Sequence, residues 1–175
     1  MSYCAYVLTI SDEHDVDKVY HDQHYGIRIE DDNELFGRLI MEINQAGLSW
    51  RTILMKEKGF RKAYHDFSIK KIAKYGDSDF ARLMSDSGII RNRLKVSAAI
   101  YNAQKVMEIQ KEFGSFREWL DVQAKEVFQD KSAWVKLFKK HFKFVGGEIV
   151  GEFLMSINLI RGANHKDCRY FKRLT

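Results

Sequence analysis

Apolar residues recur at intervals of three and four along almost the whole chain, and no proline interrupts the pattern. A stripe with a period of about 3.6 residues buries one face of a helix. Average usage would supply proline at about 5%. Without it, helices here must stop at glycine or asparagine, and no stiff polyproline linker can hold two domains apart. At 175 residues, the expectation is a single compact all-α domain spanning 1–175.

The periodicity predicts a helix over 34–45, capped by Asn33, with Leu35, Phe36, Leu39, Ile40 and Ile43 on its apolar face. Ser49 opens a second helix running to about Tyr64. A short helix over 68–75 stops at Gly76, another starts at Asp77 or Ser78 and ends near Ser87-Gly88, and a long one runs over 92–113 to Gly114. Further helices are expected over 132–141 and 147–158. Only residues 6–10 read as a strand, without a clear partner.

Apolar residues make up 45% and charged residues 30%, an ordinary globular balance. The richest apolar stretch, 142–160, is broken by Lys143, Glu148 and Glu152, so no run approaches the ~18 residues of a membrane span. The N-terminus lacks a basic start followed by an apolar core, and reads as no signal peptide. Two cysteines are too few for a secreted disulfide scaffold, which makes a reducing cytoplasm the default compartment. The net charge of +5 is uneven: residues 1–60 carry 6 Lys/Arg against 11 Asp/Glu, and residues 61–175 carry 23 against 13. That basic excess favours a polyanionic partner, although solvated lysines alone would produce it.

Four constellations could carry chemistry. Around Ser87-Gly88-Ile89-Ile90, a helix, a glycine turn and a second helix form a helix-hairpin-helix layout. The second helix would offer free N–H groups to a phosphate, with Arg91, Arg93 and Lys95 at its entrance. The plain alternative is a helical hairpin with surface arginines. Glu42 falls roughly 90° from the centre of its helix's apolar stripe. It either pairs with Arg38 on the surface or lines a pocket beside the core. Tyr6, Tyr20, Tyr25 and Trp50 lie in polar, loop-like contexts, where they could stack on a flat ligand or simply pack. Cys4, His21, His165 and Cys168 have the composition of a Cys₂His₂ zinc site that would clip the termini together, or are unrelated thiols and imidazoles.

Read together, Tyr20-His21-Asp22 with Gly26, Leu35-Phe36, Gln45-Ala46-Gly47-Leu48-Ser49-Trp50, Ser87-Gly88-Ile89-Ile90-Arg91 and Phe142-Lys143-Phe144-Val145-Gly146 stand in one order. That order resembles the type I 3-methyladenine-DNA glycosylases of the helix-hairpin-helix superfamily, densely over 4–104 and again over 136–168. The resemblance implies hydrolysis of the N-glycosidic bond of 3-methyladenine in double-stranded alkylated DNA, in base-excision repair. It implies that Glu42 is the pocket carboxylate and that Tyr6, Tyr20, Tyr25 and Trp50 contact the flipped base. Gln45, Gly47 and Leu48 would enter the duplex. Gly88, Arg91, Arg93 and Lys95 would hold phosphate. Cys4, His21, His165 and Cys168 would bind one structural Zn²⁺ per chain, with no cofactor in the chemistry. No aspartate is nominated as nucleophile or base. A monomeric cytoplasmic protein is expected. The sequence departs from the family in three places. Tyr6 and Tyr25 stand where tryptophan is usual. Asn164 stands in the usual histidine place, with His165 one residue nearer Cys168. The stretch 120–131 is shorter than usual. The tyrosines motivate an alternative, a lesion-binding protein without catalysis on the same scaffold.

Overall fold

Asp31, rather than Asn33, opens the helix that organises the fold. Its carboxylate accepts hydrogen bonds from the backbone N–H groups of Asn33 and Glu34 at 2.9 and 3.0 Å. Asn33 Oδ1 instead accepts from Ile69 N at 3.0 Å and starts a different helix. The computed structural model describes residues 2–127 and 129–171, and among them all regular structure is helical. The helices are Tyr3–Val7 (α1), Val16–Gln23 (α2), Asp32–Gln45 (α3), Trp50–Met55 (α4), Glu57–Ala63 (α5), Ile69–Ile72 (α6), Asp77–Ser85 (α7), Arg93–Phe113 (α8), Phe116–Val127 (α9), Lys131–His141 (α10) and Gly147–Ser156 (α11).

α3 lies at the centre and packs against α4, α6, α8, α9 and α11. Leu35, Phe36, Leu39, Ile40 and Ile43 are all buried, as the stripe predicts. Behind them, Phe116, Trp119, Trp134, Phe138, Phe142 and Phe153 form an aromatic cluster that joins α9, α10 and α11 to the same core. Each such ring, fully buried, contributes about 1.5–3 kcal/mol.

Several sequence expectations change. The strand over 6–10 is absent: residues 3–7 are helical, capped by Ser2 Oγ, which accepts from Ala5 N at 3.2 Å. A lone strand with no partner would leave its backbone polar groups unpaired, and the capped turn satisfies them locally. The polar segment before Tyr25 is also a helix, α2, capped by Asp15. The single helix expected over 49–64 is divided at Lys56, whose backbone (φ −100°, ψ 1°) leaves helical geometry. The division sets Gly59 against the hairpin turn, where a Cβ would lie 2.2 Å from the Gly88 carbonyl oxygen. Close approach is therefore what Gly59 serves; Gly88 is not among the positive-φ residues, and a Cβ there would meet Asp86 Oδ1 at 2.9 Å and Gly59 Cα at an ordinary 3.4 Å. α9 is capped locally by Ser115 Oγ, which accepts from Glu118 N at 2.9 Å, and also from 84 residues away: Asp32 Oδ2 accepts from Phe116 N at 2.8 Å, and Oδ1 accepts from Arg117 N at 2.9 Å.

Candidate active site and DNA-facing surface

The C-terminal half of α3, the start of α4, α2 and α11 enclose a cavity of about 570 Å³, within the ~300–1,000 Å³ range of small-molecule sites. Glu42, Tyr20, Tyr25, Trp50 and Glu152 line it, together with Tyr3 and Gln45. The rings form a wall: Tyr20 and Trp50 lie 5.0 Å apart between centroids, Tyr20 and Tyr25 5.7 Å, and Tyr3 and Tyr25 5.7 Å. Arg38 Nη1 donates to the Tyr20 hydroxyl at 2.8 Å from behind this wall. The Tyr3 hydroxyl donates to the backbone oxygen and Oδ1 of Asp17, both at 3.1 Å, and Asp17 is held by Arg51 at 2.6 Å. α1, α2 and α4 are thereby tied together around the cavity mouth.

Glu42 is 4% exposed. Among the described residues its carboxyl group has no hydrogen bond, and it is not paired on the surface with Arg38. Burial pushes its pKa up from 4.5 to about 8, against the pull of Arg38 and with a further push from Glu152. The Trp50 indole N–H is buried without an acceptor among the described residues. An unsatisfied donor and a buried acid in one aromatic cavity are the marks of a site that awaits a polar ligand. Glu152 is half-buried, accepts from the Tyr25 hydroxyl at 3.3 Å, and is itself raised by burial. Tyr6 does not line the cavity. It is 38% exposed and stacks on Tyr3, with centroids 6.3 Å apart, so Tyr3 holds the position expected of Tyr6.

Beyond the cavity, Gln45 to Ser49 form a tight loop. Gly47 has φ +84°, Gln45 Nε2 donates to Leu48 O at 3.1 Å, and Leu48 projects with 39% exposure. The hairpin from α7 to α8 stands beside it. Asn92 caps α8 by accepting from Lys95 N at 3.1 Å, and Arg91 and Arg93 are exposed at this helix start. Lys95 is not available to phosphate. It is 5% exposed, and its ammonium donates to Asn44 O at 2.9 Å and Ala46 O at 2.7 Å. Those carbonyls end α3, where partial negative charge accumulates, so a lysine there acts as a cap that bolts the loop to α8.

Near the termini, Cys4 Sγ, a His21 ring nitrogen and Cys168 Sγ all lie within 4.8 Å of one another. Cys168 Sγ is 3.6 Å from His21 Nε2. Tetrahedral zinc, with bonds of about 2.0–2.3 Å, needs its donors roughly 3.3–3.8 Å apart. His21 Nδ1 contacts Asp22 Oδ1 at 2.8 Å, the second contact that would orient Nε2 towards a metal. His165 does not join the group: its ring is exposed and its Nδ1 lies 3.2 Å from Asp167. Asn164 Oδ1 lies beside the group, 3.7 Å from Cys4 Sγ and 3.8 Å from Cys168 Sγ. Of the four residues expected, the structure brings Cys4, His21 and Cys168 together and leaves the His165 ring outside.

The sequence profile of the methyladenine glycosylase family matches residues 10–171. The chain belongs to that family. This methyladenine glycosylase is 33% identical over 157 residues to the DNA-3-methyladenine glycosylase of Haemophilus influenzae, covering 81% of this chain and 85% of the relative. It is 34% identical to DNA-3-methyladenine glycosylase 1 of Escherichia coli over the same length, covering 81% and 84%. Among solved structures, 3-methyladenine DNA glycosylase I of Staphylococcus aureus, studied for its recognition of 3-methyladenine, matches with a TM-score of 0.81 at 31% identity, over 93% of this chain and 94% of the other. A point variant of a 3-methyladenine DNA glycosylase I in complex with 3-methyladenine matches with a TM-score of 0.82 at 31% identity, over 97% of both chains.

Tyr3 and Glu152 are among the cavity residues that the sequence does not single out. Glu152 left a signal, as a carboxylate inside the richest apolar stretch of the chain. Tyr3 left none, because its segment reads as irregular.

Proposed function

We propose that this methyladenine glycosylase hydrolyses the N-glycosidic bond of 3-methyladenine in alkylated duplex DNA, taking the extruded base into the cavity described above. The observation that carries this is Glu42: a buried carboxyl group without a hydrogen-bond partner among the described residues, facing an aromatic wall. Methylation at N3 makes the adenine ring cationic while it is attached to the sugar. A cation against Trp50, Tyr20 or Tyr25 gains about 0.5–2 kcal/mol, and Glu42 can accept from the exocyclic amine. Normal adenine lacks the charge and gains less.

Extrusion costs a few kcal/mol, least for a damaged base. Leu48 would fill the space that the base leaves, and Arg91 and Arg93 at the start of α8 would hold the phosphates. In the chemical step the N9–C1′ bond breaks and its electron pair goes to the cationic ring, which departs neutral. Water adds to C1′ and loses a proton, leaving an abasic site. The leaving group already carries its positive charge, so the protein need not protonate it. Glu42 binds the base, and its charge stabilises the cation before the bond breaks.

Cys4, His21 and Cys168 fit a zinc ion, with Asn164 Oδ1 as a neutral fourth donor weaker than imidazole. A metal there would be structural, tying the N-terminal helix to the C-terminal segment. Two thiols suit a reducing compartment, and a cytoplasmic location is part of the proposal.

The test is incubation with methylated duplex DNA, followed by chromatography of the free bases and a count of abasic sites. Release of 3-methyladenine, matched by abasic sites, supports the reading. A folded protein that retards methylated DNA in a gel and releases no base would be a lesion binder instead.

A further inference from the structure

Inside its rim, where Glu148 is exposed, the cavity holds two further acids where its reaction calls for one. Glu42 comes from α3 and Glu152 from α11, and both line the same space. They act on each other electrostatically, since Glu152 is one of the groups that hold Glu42 in its protonated form. Glu152 is not a stray surface charge that happens to lie near. It is half-buried, and its Oε2 accepts from the Tyr25 hydroxyl, which fixes the carboxylate beside the aromatic wall. Glu148, one helical turn earlier on the same face, stands at the rim and pairs with Lys131 at 3.4 Å. The cations that act on the pair are Arg38 for Glu42 and Lys131 for Glu152. Neither forms a hydrogen bond with either carboxylate among the described residues. Arg38 donates to Tyr20, and Lys131 to Glu148.

Two carboxyl groups that share a desolvated space cannot both ionise cheaply. A ligand that brings positive charge removes that penalty for both. A neutral ligand of the same shape removes it for neither, and leaves buried acids facing a π-system. The pair therefore rewards charge more steeply than one carboxylate can. From the shared cavity and the Tyr25–Glu152 contact, we infer that Glu152 is a second specificity-determining residue, which selects cationic purines over neutral ones of the same shape. The inference rests on the cavity being the base-binding site proposed above.

The experiment compares the wild-type chain with Glu152→Gln, and with Glu152→Ser in case the amide misfolds. Two readouts are taken: the rate of 3-methyladenine release from methylated DNA, and the affinity for a duplex carrying 3-deaza-3-methyladenine, an uncharged isostere. Loss of one charge from a low-dielectric site should slow release of the cationic base by on the order of tenfold. Binding of the neutral isostere should stay within about twofold, because that ligand carries no charge for Glu152 to attract. Unchanged release of 3-methyladenine would overturn the inference, and so would equal losses in both readouts, which would mark Glu152 as a packing partner of Tyr25. Failure of the wild-type chain to release any 3-methyladenine would overturn the functional reading itself, and this inference with it.

Discussion

Glu42→Gln should make the protein more stable and disable it at once. In the unfolded chain this carboxyl group ionises near 4.5, whereas in the fold it keeps its proton up to about 8. Between those values the folded chain binds one more proton than the unfolded chain. Stability therefore falls as pH rises through this window. The full span corresponds to an upper bound of about 5 kcal/mol at 1.36 kcal/mol per pKa unit, reached only above pH 8. Near pH 7 the bound is about 3 kcal/mol, or on the order of 5–10 °C in Tm for a chain of this length. Glutamine has nearly the same shape and cannot ionise. Urea denaturation of both proteins from pH 5 to 9 reads the effect, because titrating groups not coupled to Glu42 cancel in the difference. The two should be nearly equal at pH 5 and diverge in favour of the variant towards pH 9, while release of 3-methyladenine by the variant falls steeply. A stability difference that does not change with pH would show that Glu42 is ionised in the empty cavity, and would refute the burial argument.

Lys95→Met keeps the buried length and removes the two hydrogen bonds to Asn44 and Ala46. It should cost about 1.5–3 kcal/mol in stability, as for hydrogen bonds from a charged donor, and weaken duplex binding without altering the slope of affinity against salt; a slope reduced by about one would place Lys95 on a phosphate after all. Cys168→Ala should lower Tm and bound zinc together, read by calorimetry and elemental analysis, and full retention of metal would assign the ligand elsewhere. Asn164→His should raise zinc affinity, read by chelator competition, because imidazole replaces an amide oxygen; no gain would show that the fourth donor is not at residue 164. Leu48→Ala should reduce affinity for lesion-bearing duplex while leaving Tm nearly unchanged, since Leu48 is exposed.

The helices that carry an apolar stripe were legible in the sequence, and so was the place of Glu42 at the edge of one. α9 and the split at Lys56 were not read from it. Ser115 and Glu118 carry a local N-cap signal for α9, to which Asp32 adds hydrogen bonds from a distance, and the Gly59–Gly88 approach joins residues far apart in sequence. Lys95 reads from the sequence as a phosphate ligand because it sits among exposed arginines. Only the path of α3 reveals that its ammonium is spent on two carbonyls. Tyr3 and Tyr6 stand one turn apart on α1, a segment partly read as a strand, and Asn164 and His165 are neighbours in an irregular segment. In both places side-chain direction stays undetermined until the backbone is known.

The claim at the centre of this account is that a buried acid, protonated in the empty cavity, meets a cationic base. Its most direct test is the pH dependence of kcat/KM for 3-methyladenine release, which reports the free enzyme. That value should rise with pH and level off near 8, with the rise lost in Glu42→Gln. A wild-type profile flat from pH 6 to 9 would contradict it.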